Sequence, residues 1–211
     1  MATKPILFNT KMVRALLDGR KSCTRRLVKP QPQGYFEVSE EPLYIYDTDG
    51  KQGKITPPYQ PGDILYVRET WKKAPNGYYY YEDWQRDDIA DTTKWKPSIH
   101  MPKEAARIWL KVKNVRVERL QEITEDGVWD EGFKFKPPCL TRVSADGHTC
   151  DLDGPCMSSI KYCDMTMGEL FGREVWNSTI KKSDLDCYGW NANPWVWVIE
   201  FERCEKPKGE N

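Results

Sequence analysis

Residues 5–28 read PILFNTKMVRALLDGRKSCTRRLV, and this stretch decides the fold class that the sequence predicts. It opens on a short apolar run typical of a strand. Asn9 or Thr10 can then cap a helix over 11–18, and Gly19 follows where a helix commonly ends in left-handed backbone. The basic residues after the glycine return to an extended form. The stretch therefore predicts a strand, a short helix and a basic second strand.

Three further stretches alternate apolar and polar side chains, as half-buried strands do. They cover 64–69, 106–120 and 195–202. The alternation in 106–120 changes parity at Lys113 and Asn114, which indicates a bulge or bend. Short helices are predicted over 124–132 and 167–180. This pattern favours a small α+β barrel of about five or six strands over a parallel βαβ sheet. We expect one domain over 1–211, with long insertions at about 30–61 and 134–166.

Composition excludes several classes of protein. The chain has 211 residues, with 32 Lys and Arg against 32 Asp and Glu, so a histone-like charge is excluded. The charge is uneven: residues 1–30 carry eight bases and one acid (+7), and residues 121–170 carry ten acids and four bases (−6). One positive face is therefore expected. Without a secretory signal or a membrane-length apolar run, the protein is predicted to be soluble and cytoplasmic, with no membrane partner.

The first candidate site is the basic segment GRKSCTRR at 19–26. In a strand, Lys21 shares one face with Cys23, whereas Thr24 and Arg26 share the other face with Ser22. A bend is needed to aim Lys21 and Thr24 at one point. The segment is either a solvated basic edge strand or a site for a phosphate or a polar base edge.

The order of four motifs adds a family resemblance. GRKSCTRR at 19–26 is followed by PGDILYVRETW at 61–71, LQEITEDGVWDEG at 120–132 and WVIEF at 197–201. This ordered set resembles the ASCH domain of the PUA-like superfamily, most of all its longer members from phage and prophage genomes. The resemblance covers both ends of the chain but neither insertion. It implies a PUA-like mixed β-barrel with short flanking helices and a cleft that binds RNA, a nucleoside or a modified base.

The same resemblance implies a possible activity. One small member of the family is an amidohydrolase that removes acyl groups from N4-acetylcytidine, and its catalytic residues match Lys21, Thr24 and Glu131. There the threonine is the nucleophile, the lysine its base and the glutamate a proton carrier. A lysine of ordinary pKa, about 10.4, is a poor base at neutral pH. The lysine role therefore needs neighbouring positive charge to outweigh any nearby carboxylate.

Three alternative functions are consequently predicted for the protein. The first is binding of RNA or a modified nucleobase, the second is hydrolysis of acylated cytidine, and the third is a phage assembly or interaction role without enzymatic activity. Aromatic residues beside arginines can stack single-stranded bases, although core and edge packing is the alternative for these rings. The residues predicted to contact nucleic acid or phosphate are Arg20, Arg25, Arg26, Glu69 and Trp71.

The second insertion holds a possible structural zinc site, although no cofactor is required. Four cysteines and a histidine fall within 25 residues there, and Zn²⁺ takes four such ligands. The spacing contains no C-x-x-C pair, so free thiols and a disulfide remain alternatives. The candidate ligands are Cys139, His148, Cys150, Cys156 and Cys163.

Overall fold

The computed structural model describes residues 2–32, 35–40, 43–47, 53–84, 94–133 and 165–207, and its fold is α+β as predicted. The described strands are β1 (Thr3–Leu7), β2 (Cys23–Leu27), β3 (Phe36–Glu40), β4 (Leu43–Asp47), β5 (Gly53–Ile55), β6 (Ile64–Arg68), β7 (Trp71–Ala74), β8 (Gly77–Tyr80), β9 (Trp109–Arg119) and β10 (Trp195–Cys204). The described α-helices are α1 (Thr10–Leu17), α2 (Tyr81–Trp84), α3 (Glu125–Asp130), α4 (Met167–Phe171), α5 (Asn177–Thr179) and α6 (Leu185–Tyr188).

The chain divides into two compact units. Unit 1 comprises Met1–Glu118, Asp130–Gly132 and Trp195–Asn211, and unit 2 comprises Arg119–Trp129 and Phe133–Pro194. None of the helices in the described ranges has the length and apolarity that crossing a bilayer requires. All the described residues predicted for the site belong to unit 1.

The main sheet of unit 1 has five strands in the order β1-β6-β9-β10-β2. β1 runs parallel to β6, with Leu7 opposite Arg68, whereas β10 and β2 are antiparallel. Among the described residues no ladder joins β1 to β2, so the predicted closed barrel is not found. Pro5 gives one reason, because it has no N–H to donate to a ladder. β1 and β2 are therefore two open edges.

The alternation of buried and exposed residues along the strands shows where the core of unit 1 lies. On β9, Lys113 and Asn114 are both exposed between the buried Val112 and Val115, which confirms the predicted change of parity. The buried members of this core are Ile6, Phe8, Val13, Leu16, Val28, Leu43, Ile45, Ile55, Leu65, Val67, Ile108, Leu110, Val112, Val115, Trp197, Ile199 and Phe201.

Helix α1 forms as its sequence predicts. The Asn9 side chain accepts a hydrogen bond from the Met12 N–H at 2.9 Å and caps the first turn. Val13 and Leu16 lie buried against the core. Gly19 has φ +72°, the left-handed backbone that ends helices and favours glycine. The basic segment therefore begins directly after the end of α1.

The first insertion contains a small antiparallel sheet of β3, β4 and β5. Val38 lies opposite Ile45, and Ile45 lies opposite Ile55. In unit 2, helix α4 continues through a π-helical turn, Gly172–Trp176. Of the predicted second insertion, only 165–166 lies within the described part.

Candidate functional site

A buried ion pair joins the basic segment to the acidic motif. Lys21 and Glu131 form an isolated antiparallel bridge just before β2. The Lys21 Nζ donates to Glu131 Oε2 at 2.6 Å and to the Glu131 carbonyl at 3.0 Å. Their side chains are 0% and 4% exposed. Two residues separated by 110 positions along the chain thus meet in the interior of unit 1.

Backbone packing holds this pair in place. Gly132 has φ +80°, and a Cβ there would lie 2.6 Å from the Cβ of Ala15 and 3.0 Å from that of Lys21. The Lys21 N–H donates to the Ala15 carbonyl at 3.2 Å, and the Ser22 N–H donates to the Asp130 carbonyl at 2.9 Å. Only glycine permits so close an approach with this backbone. The end of α1 and the segment 130–132 are therefore fixed against each other.

Arg25 completes the surroundings of the Glu131 carboxylate. Its backbone N–H donates to Glu131 Oε1 at 2.7 Å, and its Nη1 lies 3.4 Å from the same oxygen. Its Nη2 and Nε donate to Glu118 Oε1 at 2.7 and 3.0 Å. Burial opposes the guanidinium charge, but Glu131 and Glu118 outweigh it and raise the pKa of Arg25.

This environment changes the role expected of Arg25. Its side chain is 1% exposed and both of its carboxylate partners are internal. Contrary to the prediction that placed it on phosphate, Arg25 here orients Glu131 through two donors. Arg26 and Arg20 remain the predicted phosphate contacts with exposed surface. Arg20 donates to Asp18 at 2.9 Å and also to the Gly132 carbonyl.

Thr24 lies beside this cluster without a hydrogen bond to it. It is buried in β2 opposite Ile199, and the peptide N–H that follows it is the one that Glu131 binds. No hydrogen bond to another described residue involves its hydroxyl. Burial and the nearby Glu131 raise the pKa of the neighbouring Cys23 thiol to about 12, so this thiol stays protonated at neutral pH.

Side chains bridge the two open edges of the main sheet. Arg26 Nη2 on β2 donates to the Leu7 carbonyl on β1 at 3.0 Å, and the Tyr59 hydroxyl donates to the Pro5 carbonyl at 2.8 Å. The Phe8 ring lies between the edges, with Lys21 Nζ 5.4 Å and Arg26 Cζ 5.5 Å from its centroid. We call the strip formed by Phe8, Lys21, Thr24, Arg26 and Tyr59 the seam.

The second predicted acid, Glu69, has a dedicated partner. Its carboxylate accepts from Arg107 Nε and Nη2, both at 2.9 Å. Arg107 Nη1 also donates to Asp83 at 2.7 Å, and its Cζ lies 4.0 Å from the centre of the Tyr80 ring. Burial raises the pKa of Glu69, although Arg107 opposes the shift. Arg107 is not among the predicted site residues, because in the sequence it is one charged residue of the alternating stretch 106–120.

Trp71 packs inside unit 1. It is 4% exposed and contacts Met101 and Ala105. The Tyr78 ring lies 5.8 Å away, and Lys96 Nζ lies 5.2 Å from the Trp71 ring. A ring so buried offers no free face for a base in this structure. The alternative of core and edge packing therefore describes Trp71, not the predicted stacking platform.

The predicted zinc ligands, 139–163, lie outside the described residues. Within the part of the chain that the structure describes, no group of three or more His, Cys, Asp or Glu side chains is placed to hold a metal ion. Zinc in the second insertion stays a prediction.

No family model, curated protein or solved structure matches this chain. The ASCH resemblance therefore rests on the motifs alone. Any function drawn for unit 1 must be argued from the geometry of the seam.

Proposed function

We propose that unit 1 binds a nucleobase or nucleoside, free or within single-stranded RNA, at the seam. The observation that carries this proposal is the buried 2.6 Å pair of Lys21 and Glu131. Burying two charges costs several kcal/mol per ion before their attraction offsets it. Buried charged groups beside an open strand edge are therefore candidates for a binding site.

The chemistry of these groups suits the edge of a base. A base edge presents donors and acceptors side by side. Lysine supplies donors, a carboxylate supplies acceptors and the Thr24 hydroxyl supplies both. Arg26 is half-buried at the seam, where burial lowers its pKa, and its guanidinium is the donor that suits a phosphate attached to the base.

Access to Lys21 requires the seam to open. Its side chain has no exposed surface, so a ligand must displace a neighbour. Among the described residues, the Arg26 side chain makes the hydrogen bond that joins the two edges, and the Tyr59 hydroxyl, from the loop before β6, bonds to β1. Each such bond contributes only about 1 kcal/mol net. Breaking these two bonds therefore costs less than breaking the hydrogen-bond ladder between two strands of the sheet.

Hydrolysis of an acylated cytidine is the second candidate. The contact of Lys21 with Glu131, next to the Thr24 backbone, supports it because these residue types match the amidohydrolase. However, the Lys21 Nζ already donates to Glu131 at 2.6 Å, and among the described residues no hydrogen bond joins it to the Thr24 hydroxyl, from which a base would take the proton. Binding is therefore the better supported function. A phage assembly role stays a prediction from the resemblance.

The binding test uses calorimetric titration with cytidine, N4-acetylcytidine and a ten-nucleotide single-stranded RNA. Arg26→Gln should weaken RNA binding about fivefold or more, since one charge-assisted contact is lost, and should weaken RNA binding more than nucleoside binding, because a nucleoside has no phosphate. Arg203→Gln is the matched control because this arginine is exposed near the end of β10. Absence of binding to all three ligands at millimolar concentration, or equal weakening by both variants, would overturn the proposal.

The catalytic candidate has a separate test. Release of cytidine from N4-acetylcytidine should disappear in Thr24→Val and persist in part in Thr24→Ser, which keeps a hydroxyl. Wild-type protein that binds N4-acetylcytidine without releasing cytidine would eliminate hydrolysis and leave binding intact.

A further inference from the structure

A second cationic surface of unit 1 lies around the end of β6 and the β7–β8 hairpin. Three lysines each sit near an aromatic ring, within the range of cation–π attraction. Lys96 Nζ is 5.2 Å from the Trp71 ring centre, and Lys73 Nζ is 5.8 Å from that of Tyr78. Lys103 Nζ is 6.0 Å from the Tyr66 ring centre. The lysine–aromatic surface is defined by Tyr66, Arg68, Trp71, Lys73, Tyr78, Lys96 and Lys103.

Backbone pairing brings these side chains together. In the β7–β8 hairpin, Lys73 lies opposite Tyr78, two positions from Trp71 and hence on the same face. Lys96 exchanges two backbone hydrogen bonds with Trp71, at 3.1 and 2.8 Å. Arg68 Nη1 donates to the Ile99 carbonyl at 3.2 Å and ties the same segment to the end of β6.

The charge of this surface is positive. The lysine–aromatic surface carries four bases, Arg68, Lys73, Lys96 and Lys103, beside the acid Glu104, which gives +3. Glu104 accepts a hydrogen bond from the Tyr78 hydroxyl at 3.4 Å. Among the described residues, neither Lys73 nor Lys96 has a carboxylate within ion-pair distance.

Two buried donors on this surface lack acceptors. The Arg68 Nε and the Trp71 Nε1 are buried and make no hydrogen bond. Trp71 is 4% exposed, so water does not readily satisfy its indole N–H. Buried donors without acceptors are rare and costly. An anionic acceptor reaches these N–H groups only when neighbouring side chains move, so the exposed Lys73 and Lys96 supply the first contacts of this surface.

We infer that the lysine–aromatic surface binds phosphate groups along the backbone of a single-stranded nucleic acid. This inference extends the proposed function, on which it rests, by naming the partner and a second place where the partner is held. Because the ring faces already carry lysine ammonium groups, the rings position cations and do not stack bases. The lysines come from two segments, the β7–β8 hairpin and 94–107, which fits a chain of phosphates better than one free phosphate ion.

The test measures the salt dependence of binding of a fluorescein-labelled fifteen-nucleotide oligouridylate by anisotropy. In Lys73→Gln/Lys96→Gln/Lys103→Gln, the slope of log K against log salt should become shallower by about 2, since each single-strand phosphate contact contributes about 0.7. Affinity at ~0.1 M salt should fall about tenfold or more. The control Lys11→Gln/Lys111→Gln/Lys206→Gln removes the same charge from exposed lysines elsewhere on unit 1.

Equal changes of slope in the two triple variants would overturn the inference, because the effect would then be one of net charge. Displacement of the oligouridylate by equimolar inorganic phosphate would also overturn it, because one phosphate would then suffice. The indole N–H signal of Trp71 is assigned as the one that is absent in Trp71→Phe. A change in its chemical shift on addition of the oligouridylate supports the inference. No such change with saturating oligouridylate contradicts it.

Failure of the inference is distinguishable from failure of the proposed function. If cytidine binds and the lysine variants leave RNA binding intact, the seam proposal is supported and the inference about the lysine–aromatic surface is wrong. If the lysine variants change the slope of log K against log salt and no nucleoside binds, the inference about the lysine–aromatic surface is supported and the seam proposal is wrong.

Discussion

Glu131→Gln should destabilise the protein more than Lys21→Met, although the two residues are partners in one ion pair. The Glu131 carboxylate accepts from Lys21 Nζ at 2.6 Å, from the Arg25 N–H at 2.7 Å and from Arg25 Nη1 at 3.4 Å. Glutamine keeps one acceptor oxygen and turns an amide N–H₂ towards a donor. Removing one member of a buried pair typically costs about 3–5 kcal/mol, and we expect a loss in this range for Glu131→Gln.

Lys21→Met leaves the carboxylate with both Arg25 donors. Its counter-charge therefore remains, and the hydrogen bonds of Lys21 to the Glu131 carboxylate and carbonyl are lost, of which the bond to the carboxylate contributes about 1.5–3 kcal/mol. The double variant Lys21→Met/Glu131→Gln should be more stable than Glu131→Gln alone, because it removes the ammonium that has lost its partner. The structure thus predicts a non-additive cycle with a defined order of stabilities.

Urea unfolding followed by tryptophan fluorescence measures these free energies, provided that the slope m is unchanged among the variants. Lys113→Met is the control, because this lysine is 60% exposed and pairs with Glu202 only at 3.4 Å. We expect the control to shift stability by less than about 0.5 kcal/mol. A loss in Lys21→Met equal to that in Glu131→Gln, or an additive double variant, would refute the reasoning.

Three further outcomes are expected. Hydrogen bonds from Lys4 and two backbone N–H groups outweigh burial and lower the pKa of Asp63. The stability that Asp63 contributes is therefore present at neutral pH and is lost as pH falls through its folded-state pKa. In Asp63→Asn, the free energy of unfolding should decrease less between pH 7 and pH 2 than in the wild type. The Cys23 thiol, whose pKa is raised to about 12, should be alkylated at pH 8 far more slowly than the exposed Cys187, as peptide mass mapping would show. Comparable alkylation rates would contradict this burial. Gly132→Ala should lower the free energy of unfolding by about 2–4 kcal/mol, because the backbone there is left-handed and the new Cβ would lie 2.6 Å from the Cβ of Ala15. Gly53→Ala, which has open space around it, should lower it by only about 1 kcal/mol in the same urea assay.

Much of the local structure of unit 1 follows from the sequence. Alternation predicts β6, β9 and β10, and the Asn9 cap with Gly19 predicts α1, because these signals act between near neighbours. The open edges of the main sheet could not be predicted in this way. They depend on which strands pair, and pairing joins residues as distant as Thr24 and Ile199.

The candidate site divides in the same manner. The motifs predict that Lys21 and Glu131 belong together, and the structure places them 2.6 Å apart. The motifs do not predict that Arg25 is buried behind Glu131, because alternation separates the two faces of a strand without showing which one is covered. They also miss Arg107, which is recognised only once Glu69 and Asp83 lie beside it.

The sequence by itself determined the helix α1, the alternating strands and the concentration of positive charge in the first thirty residues, since each depends on residues close along the chain. Only the tertiary structure decided which charges are buried and paired and which remain at the surface. The reason is physical: the cost of a charge depends on its distance from water and from opposite charges, and both distances are set by segments far apart along the chain, by 110 positions for Lys21 and Glu131.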